Sequence, residues 1–204
     1  MTSHDTHTAI IESLANAEDA LLAERGDTPN WHGRLSSSAL STAVSTFALH
    51  RLDATAHRVV VARGCDWLCR NQNADGSWGD TPDSVGNLST TLLGWATLRA
   101  AGGGGQPTRA AVTAADAWLA ERLGDLDPPS IVAAVRKRYG DDRSFSAPIL
   151  ALCALSGCLG EGEAAWAFVP QLPFELALVP RALWKWLRLS VVSYAVPALI
   201  AIGL

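Results

Sequence analysis

The residues of this sequence that could transfer a proton are two closely spaced pairs of carboxylates. Asp125 and Asp127 are separated by one leucine, and Asp141 and Asp142 are adjacent. A carboxylic acid that protonates a weak base must stay neutral in an apolar site, beside groups that strengthen it. Asp125 and Asp127 instead lie in a proline-rich turn, where a carboxylate usually caps the next helix. We therefore predict a capping role for that pair, and we assign no catalytic residue in the chain.

The other reactive side chains lack the arrangements that nucleophilic catalysis or metal binding needs. Cys65, Cys69, Cys153 and Cys158 have no Cys-x-x-Cys spacing and no paired histidine, so packing as small apolar residues is favoured over metal binding. The five histidines are scattered, and none has neighbours that suggest a catalytic triad. The tetraglycine at 102–105 lacks the Lys-Ser/Thr of a phosphate-binding loop. The sequence predicts no metal site.

Composition excludes disorder and argues against a nucleic-acid partner. Apolar residues make up 49% of the 204 residues, enough to fill a core. A net charge of −4 leaves no broad basic surface for a phosphate backbone. The first residues carry acids where a signal peptide has basic and apolar regions, and no apolar run reaches the length of about 18 residues that spans a membrane. We expect a cytoplasmic protein with reduced thiols.

The elements that must position any site are helices in repeated pairs. Apolar residues recur at intervals of three and four residues, and segments rich in Gly, Pro, Asn and Asp separate the helical stretches. Residues 40–43 (LSTA) are echoed 48 positions later by residues 88–91 (LSTT), and a looser third copy begins at Phe145. A repeat of about 50 residues, with no strand pattern, predicts an all-α fold of helical hairpins arranged as a solenoid or a closed toroid.

The most specific string in the chain is RGCDWLCRNQNADGSW, at residues 63–78. Its basic, small, aromatic, leucine, glutamine, glycine and tryptophan positions are Arg63, Gly64, Trp67, Leu68, Gln72, Gly76 and Trp78. The string resembles the QW motif of the squalene-hopene and oxidosqualene cyclases. We expect a helix to end at Gln72, the chain to turn at Gly76, and Trp78 to lie on the amide plane of Gln72. That amide would then pair with backbone groups left open at helix ends, a structural role.

Two eroded copies fit the same frame. Leu21, Arg25 and Trp31 have the motif spacing, with arginine in the glutamine position, and Trp118 with Arg122 starts a further copy. The resemblance extends over residues 21–202 and implies an α/α toroid, similar to an incomplete α6-α6 barrel. We expect this domain at residues 21–204, after a partly flexible N-terminal helix at residues 1–20.

The resemblance also implies what the chain lacks. Cyclases of this family protonate an alkene with the middle acid of an Asp-x-Asp-Asp motif, and this sequence contains no such string. It therefore resembles the N-terminal half of a class II terpene cyclase, inactive alone, whose partner half or subunit supplies the acid. The implied substrate is a polyprene such as squalene, and no cofactor is implied. Val192, Ser193 and Tyr194 stand near the position where relatives place a cavity aromatic, although Tyr194 is also typical of an ordinary core.

Several alternatives stay open at this point. The chain is interpreted as a fragment, a split subunit or a partner-dependent protein, and the alternative function is a non-catalytic repeat domain that binds a protein or lipid. The segment at 166–189, rich in Pro and Trp, is either a buried linker or an interfacial segment that gives peripheral membrane contact. The basic residues 136–138 form either a solvated helix face or a contact for anionic lipid. The related protein prenyltransferases bind zinc with Asp, Cys and His, and this sequence offers no such set of ligands.

Overall fold

The computed structural model describes residues 3–25, 27, 29–32 and 35–170, and the secondary structure of these residues is helical, without a strand. The all-α prediction is therefore confirmed. The chain divides into two compact units, Met1–Ser36 and Ser37–Leu204. The helices of the described part are α1 (Ser3–Arg25), α2 (Ala39–Asp53), α3 (Arg58–Arg70), α4 (Leu88–Ala101), α5 (Gln106–Leu123), α6 (Pro128–Tyr139), α7 (Arg143–Leu155) and the short α8 (Gly162–Trp166).

Side-chain caps fix where the helices of the second unit begin. Ser38 and Asn87 precede α2 and α4 in extended conformation, and each accepts a hydrogen bond from the backbone N–H three residues later. Asp127 caps α6 in the same way, at 2.9 Å from the Ser130 nitrogen, and Asp142 caps α7. The capping role predicted for the pair is confirmed for Asp127 and is wrong for Asp125, whose carboxylate accepts from the adjacent Leu126 N–H instead. Such caps satisfy backbone donors that have no partner within the helix.

Helix α4 lies at the centre of the second unit. Its residues from Ser89 to Leu98 are all buried, and it packs against α2, α3, α5 and α7. Helices α2, α4 and α7 begin at residues 39, 88 and 143, which matches the predicted repeat of about 50 residues. Thr97 of α4 donates a hydrogen bond to the Ala43 carbonyl of α2 at 3.2 Å, so two successive repeats are joined through polar as well as apolar contacts.

Some predictions concern residues that the structure does not describe. The proposed cavity residues Val192, Ser193 and Tyr194 lie outside the described residues. Of the segment at 166–189, the part that follows residue 170 also lies outside them. The domain boundary between residues 20 and 21 stays a prediction, and α1 continues to Arg25. Within the described residues, no helix is both long and apolar enough to cross a bilayer.

Candidate functional site

The motif residues lie along α3 and on the loop that follows it. Arg63 is exposed, Trp67 is half-buried and Leu68 is fully buried in the core. Gly64 faces α2, where an added Cβ would overlap the hydroxyl of Thr46. A small residue at this position is thus needed for α3 to approach α2. Helix α3 ends at Arg70, two residues before the predicted end at Gln72.

Trp78 closes the C-terminal end of α3. Its indole Nε1–H donates to the Leu68 carbonyl at 2.9 Å, and the whole residue is buried. The last four carbonyls of a helix have no partner within the helix, and burial makes an unpaired one costly. The Trp78 backbone N–H donates to the Thr91 hydroxyl of α4 at 3.1 Å. One tryptophan therefore joins the end of α3 to the central helix.

Gln72 connects the motif loop to the next repeat. Its amide nitrogen donates to the Gly76 carbonyl and to the Ala111 carbonyl of α5, both at 2.8 Å. The sequence predicts that this amide pairs with open groups at helix ends, but in the structure the helix-end carbonyl is taken by the indole of Trp78. The Gln72 amide binds one loop carbonyl and one carbonyl within α5 instead. Stacking of the Gln72 amide on Trp78 stays a prediction.

Two glycines allow close packing at the motif loop, Gly76 against α5 and Gly94 against Trp78. Gly76 has a positive φ of 87°, and a Cβ there would overlap the Ala114 carbonyl of α5. Gly94 of α4 lies under the Trp78 ring, and an added Cβ would come within 3.1 Å of ring carbons. The left-handed conformation at Gly76 is costly for residues with a side chain. The predicted turn at Gly76 is therefore explained both by its backbone conformation and by the approach of α5.

Asp75 is a motif-loop residue whose role sequence reasoning missed. One carboxylate oxygen accepts from the Ser77 hydroxyl at 2.5 Å and from the Ser77 N–H at 3.0 Å. The other accepts from the Trp118 indole of α5 at 3.0 Å. Hydrogen bonds from Ser77 hold the pKa of Asp75 below its ordinary value. This carboxylate therefore forms a second bridge between the motif loop and α5.

A repeated arginine–tryptophan pair accompanies these bridges. The Arg122 guanidinium stacks on Trp118, 3.8 Å from the ring centroid, and Arg99 lies 5.0 Å from the Trp95 ring centroid. The Trp95 indole donates to Asp116 at 2.6 Å, as the Trp118 indole donates to Asp75. Both pairs have Trp-x-x-x-Arg spacing, which places the two side chains on one helix face. This Trp-x-x-x-Arg spacing is the feature of the sequence from which both pairs could be predicted.

The eroded copy in the first unit keeps part of the same geometry. The Trp31 indole donates to the Leu21 carbonyl at 2.7 Å, ten residues upstream, as Trp78 does to Leu68. The Arg25 guanidinium lies 5.5 Å from the Trp31 ring centroid. The alignment of Trp31 with Trp78 in the predicted repeat is therefore reproduced by equivalent hydrogen bonds.

The arrangement is suited to holding helices together rather than to proton transfer. The pKa values of Asp53, Asp75 and Asp127 are all lowered, chiefly by hydrogen bonds to these carboxylates, so these groups are ionised at neutral pH. Burial raises the pKa of the Cys65 thiol to about 11. Over the residues that the structure describes, the cysteines are free thiols and no cluster of His, Cys, Asp and Glu could hold a metal ion.

Comparison with known protein families gives a match that covers the whole motif. The family model of the squalene-hopene cyclase N-terminal domain matches residues 14–127. This range includes α2 to α5, the motif loop and both arginine–tryptophan pairs of the second unit. The matched residues are therefore the ones that build the site described above.

Curated proteins give matches over both long and short stretches. Enfumafungin synthase efuA of Hormonema carpetanum is 28% identical over 169 residues, 83% of this chain and 11% of that protein. The terpene cyclase-glycosyl transferase fusion protein fsoA of Humicola fuscoatra is 29% identical over 185 residues, 89% of this chain and 12% of its own length. Alpha-onocerin synthase LCD of Lycopodium clavatum is 35% identical over 68 residues, 32% of this chain and 9% of that protein. The chain thus spans about a tenth of the length of these relatives. No solved structure matches the chain significantly.

Proposed function

Because this chain belongs to the squalene-hopene cyclase family of class II terpene cyclases, we propose that it is the half of such a cyclase that lacks the general acid. It would form part of the wall of a polyprene cavity. A second half or subunit that carries Asp-x-Asp-Asp would supply the proton. The proposed substrate is a polyprene such as squalene, taken up through peripheral contact with a membrane surface.

The observation that carries this proposal is the set of bonds at the motif loop. Trp78, Gln72 and Asp75 hold α3, α4 and α5 in one arrangement through buried or half-buried hydrogen bonds. A cavity that folds a flexible substrate requires walls whose side chains are fixed before the substrate arrives. The 204 residues contain no Asp-x-Asp-Asp string. A rigid helical scaffold without an acid is what a cavity-forming half requires.

In this proposal the two halves have separate chemical tasks. The partner's carboxylic acid would transfer its proton to a terminal alkene carbon, forming a C–H bond and a carbocation, and would be left as a carboxylate. The present chain would exclude water from that cation and hold the polyprene in a folded conformation. The ionised carboxylates Asp75 and Asp127 are bound to Ser77 and Ser130 and would take no part in the protonation.

A reconstitution experiment tests the proposal. Squalene is incubated with the chain alone, with an Asp-x-Asp-Asp protein alone and with both together, and cyclised products are detected by gas chromatography and mass spectrometry. We expect product only from the mixture, and none when the middle aspartate of the partner is replaced by asparagine. Product from this chain alone would overturn the proposal. No product under any condition would favour the alternative, a non-catalytic repeat domain that binds a protein or lipid.

A further inference from the structure

A cleft with an apolar floor and a basic rim lies between α5 and α6, beside the start of α4. Its volume is about 340 Å³. The floor consists of the half-buried side chains of Leu88, Leu123 and Ala134. The rim consists of three exposed cationic residues: Arg122, Lys137 and Arg138. We call this feature, defined by these six residues, the basic cleft.

The cations of the basic cleft differ in how they are held. Arg122 is fixed by stacking on Trp118, and its Nη1 donates to the Trp118 carbonyl at 3.2 Å and to Glu121 at 2.9 Å. Lys137 and Arg138 form no ion pair with the described residues. One oriented guanidinium, which is ion-paired with Glu121, and two cations without an ion pair to a described residue therefore border the same apolar surface. Such a rim attracts an anion, and the fixed fork of an arginine favours phosphate oxygens.

Helix-end electrostatics alone does not explain this arrangement. Cations in the last turn of a helix balance its dipole, and α6 ends with Arg136, Lys137 and Arg138. Arg136 is not among the residues that line the basic cleft, whereas Lys137 and Arg138 are. Arg122 comes from a different helix, α5, and converges on the same cleft. The positive charge is thus gathered around an apolar cleft by two helices.

We propose that the basic cleft binds the phosphate headgroup of an anionic phospholipid, with the glycerol and the first acyl carbons on the apolar floor. A ligand with one anionic group and an adjoining apolar part matches both halves of the lining. The volume is at the lower end of the range for small-molecule sites, which suits a headgroup better than a complete polyprene. This inference deepens the membrane contact of the proposed function and rests on that part of it.

A vesicle-binding experiment with the full 204-residue chain tests this site. Sedimentation compares phosphatidylcholine vesicles with vesicles that also contain about 30 mol % phosphatidylglycerol. We expect Lys137→Gln/Arg138→Gln to lower the partition coefficient on anionic vesicles by about 30-fold, because each basic residue near an anionic surface contributes about fivefold. The matched control is Arg51→Gln/Arg58→Gln, which removes two exposed arginines from α2 and α3, and it should change binding by less than about threefold. Equal losses in the two double variants would overturn the proposal.

A second variant distinguishes lipid binding that uses the apolar floor from lipid binding by the exposed cations alone. Ala134→Leu would fill part of the floor and leave every cation in place, so we expect weaker binding to anionic vesicles, with an unchanged far-UV circular dichroism spectrum. Binding as strong as that of the unmodified chain would contradict the assigned floor. Inorganic phosphate at matched ionic strength should displace little protein, and complete displacement would indicate a site for free phosphate instead. Cyclisation of detergent-dispersed squalene by the reconstituted pair needs no vesicles, so failure of the lipid site and failure of the proposed function give different results.

Discussion

Replacing Gly76 by alanine tests how the motif loop is held against α5. Gly76 has a φ of 87°, and a Cβ would overlap the Ala114 carbonyl. The left-handed conformation costs a residue with a side chain about 1 kcal/mol, and the overlap adds about 2 kcal/mol because buried backbone must move. We therefore expect Gly76→Ala to lower the free energy of unfolding by about 3 kcal/mol. Gly124 offers a matched control, because its φ is 83° but an added Cβ would meet no atom within 4 Å.

The comparison of these two variants isolates the collision from the backbone strain. Gly124→Ala should cost about 1 kcal/mol, the strain alone, so the difference between the two variants should be about 2 kcal/mol. Urea denaturation followed by far-UV circular dichroism measures both, provided that the two variants keep the same dependence on urea concentration. Equal losses for Gly76→Ala and Gly124→Ala would refute the close approach of the motif loop to α5.

Three further predictions concern the tryptophan bonds, an acid and the thiols. Trp78→Phe leaves a buried helix-end carbonyl unpaired and should lower the free energy of unfolding by about 2 kcal/mol, measured by urea denaturation. Trp31→Phe should lower it by less than about 0.5 kcal/mol, because the Trp31 indole is half exposed and water can replace its bond. Similar losses in the two variants would contradict this difference. The pKa of Asp75 lies below its ordinary value of 3.8, so its ionised form stabilises the fold above that pH, and this contribution is lost as the pH falls through the lowered pKa. Asp75→Asn should therefore flatten the acid side of the stability profile, measured as urea midpoints against pH, and an unchanged slope would count against the prediction. Burial raises the pKa of both thiols of α3, that of Cys65 to about 11, but Cys65 is buried whereas Cys69 is half-buried. Iodoacetamide at about pH 8 should therefore modify Cys69 before Cys65, as read by mass spectrometry. Faster labelling of Cys65 would show that it is not protected by the core.

The features that the sequence predicts correctly depend on short separations along the chain. The apolar segments that open at residues 40–43 and 88–91 become α2 and α4, which begin at Ala39 and Leu88. Asp127 caps α6 as its proline-rich setting indicates. A cap acts within three residues and helical periodicity within a few turns, so both can be read from local sequence. The bond from Trp78 to the end of its own helix is a finding of the structure, and its predicted stacking on the Gln72 amide stays a prediction.

The features that the sequence does not reveal depend on contacts between repeats. Gln72 bonds to a carbonyl 39 residues away at Ala111, and Asp75 bonds to Trp118, 43 residues away. Local patterns cannot specify such partners, because the way in which α3 and α5 pack decides which groups meet. The basic cleft is missed for the same reason, since Arg122 and Lys137 belong to different helices. Sequence reasoning identifies the basic residues but not the apolar floor between them.

The hydrogen bonds of the motif loop also determine which helices unfold together. The indole bond of Trp78 stays within its own repeat, whereas Gln72 and Asp75 bond to α5 in the next repeat. Opening of this loop would therefore release amide protons of α3 and α5 together, as one cooperative unit in hydrogen exchange. The eroded copy in the first unit has the bond of the first kind, from the Trp31 indole to the Leu21 carbonyl, with Arg25 in the position of the glutamine.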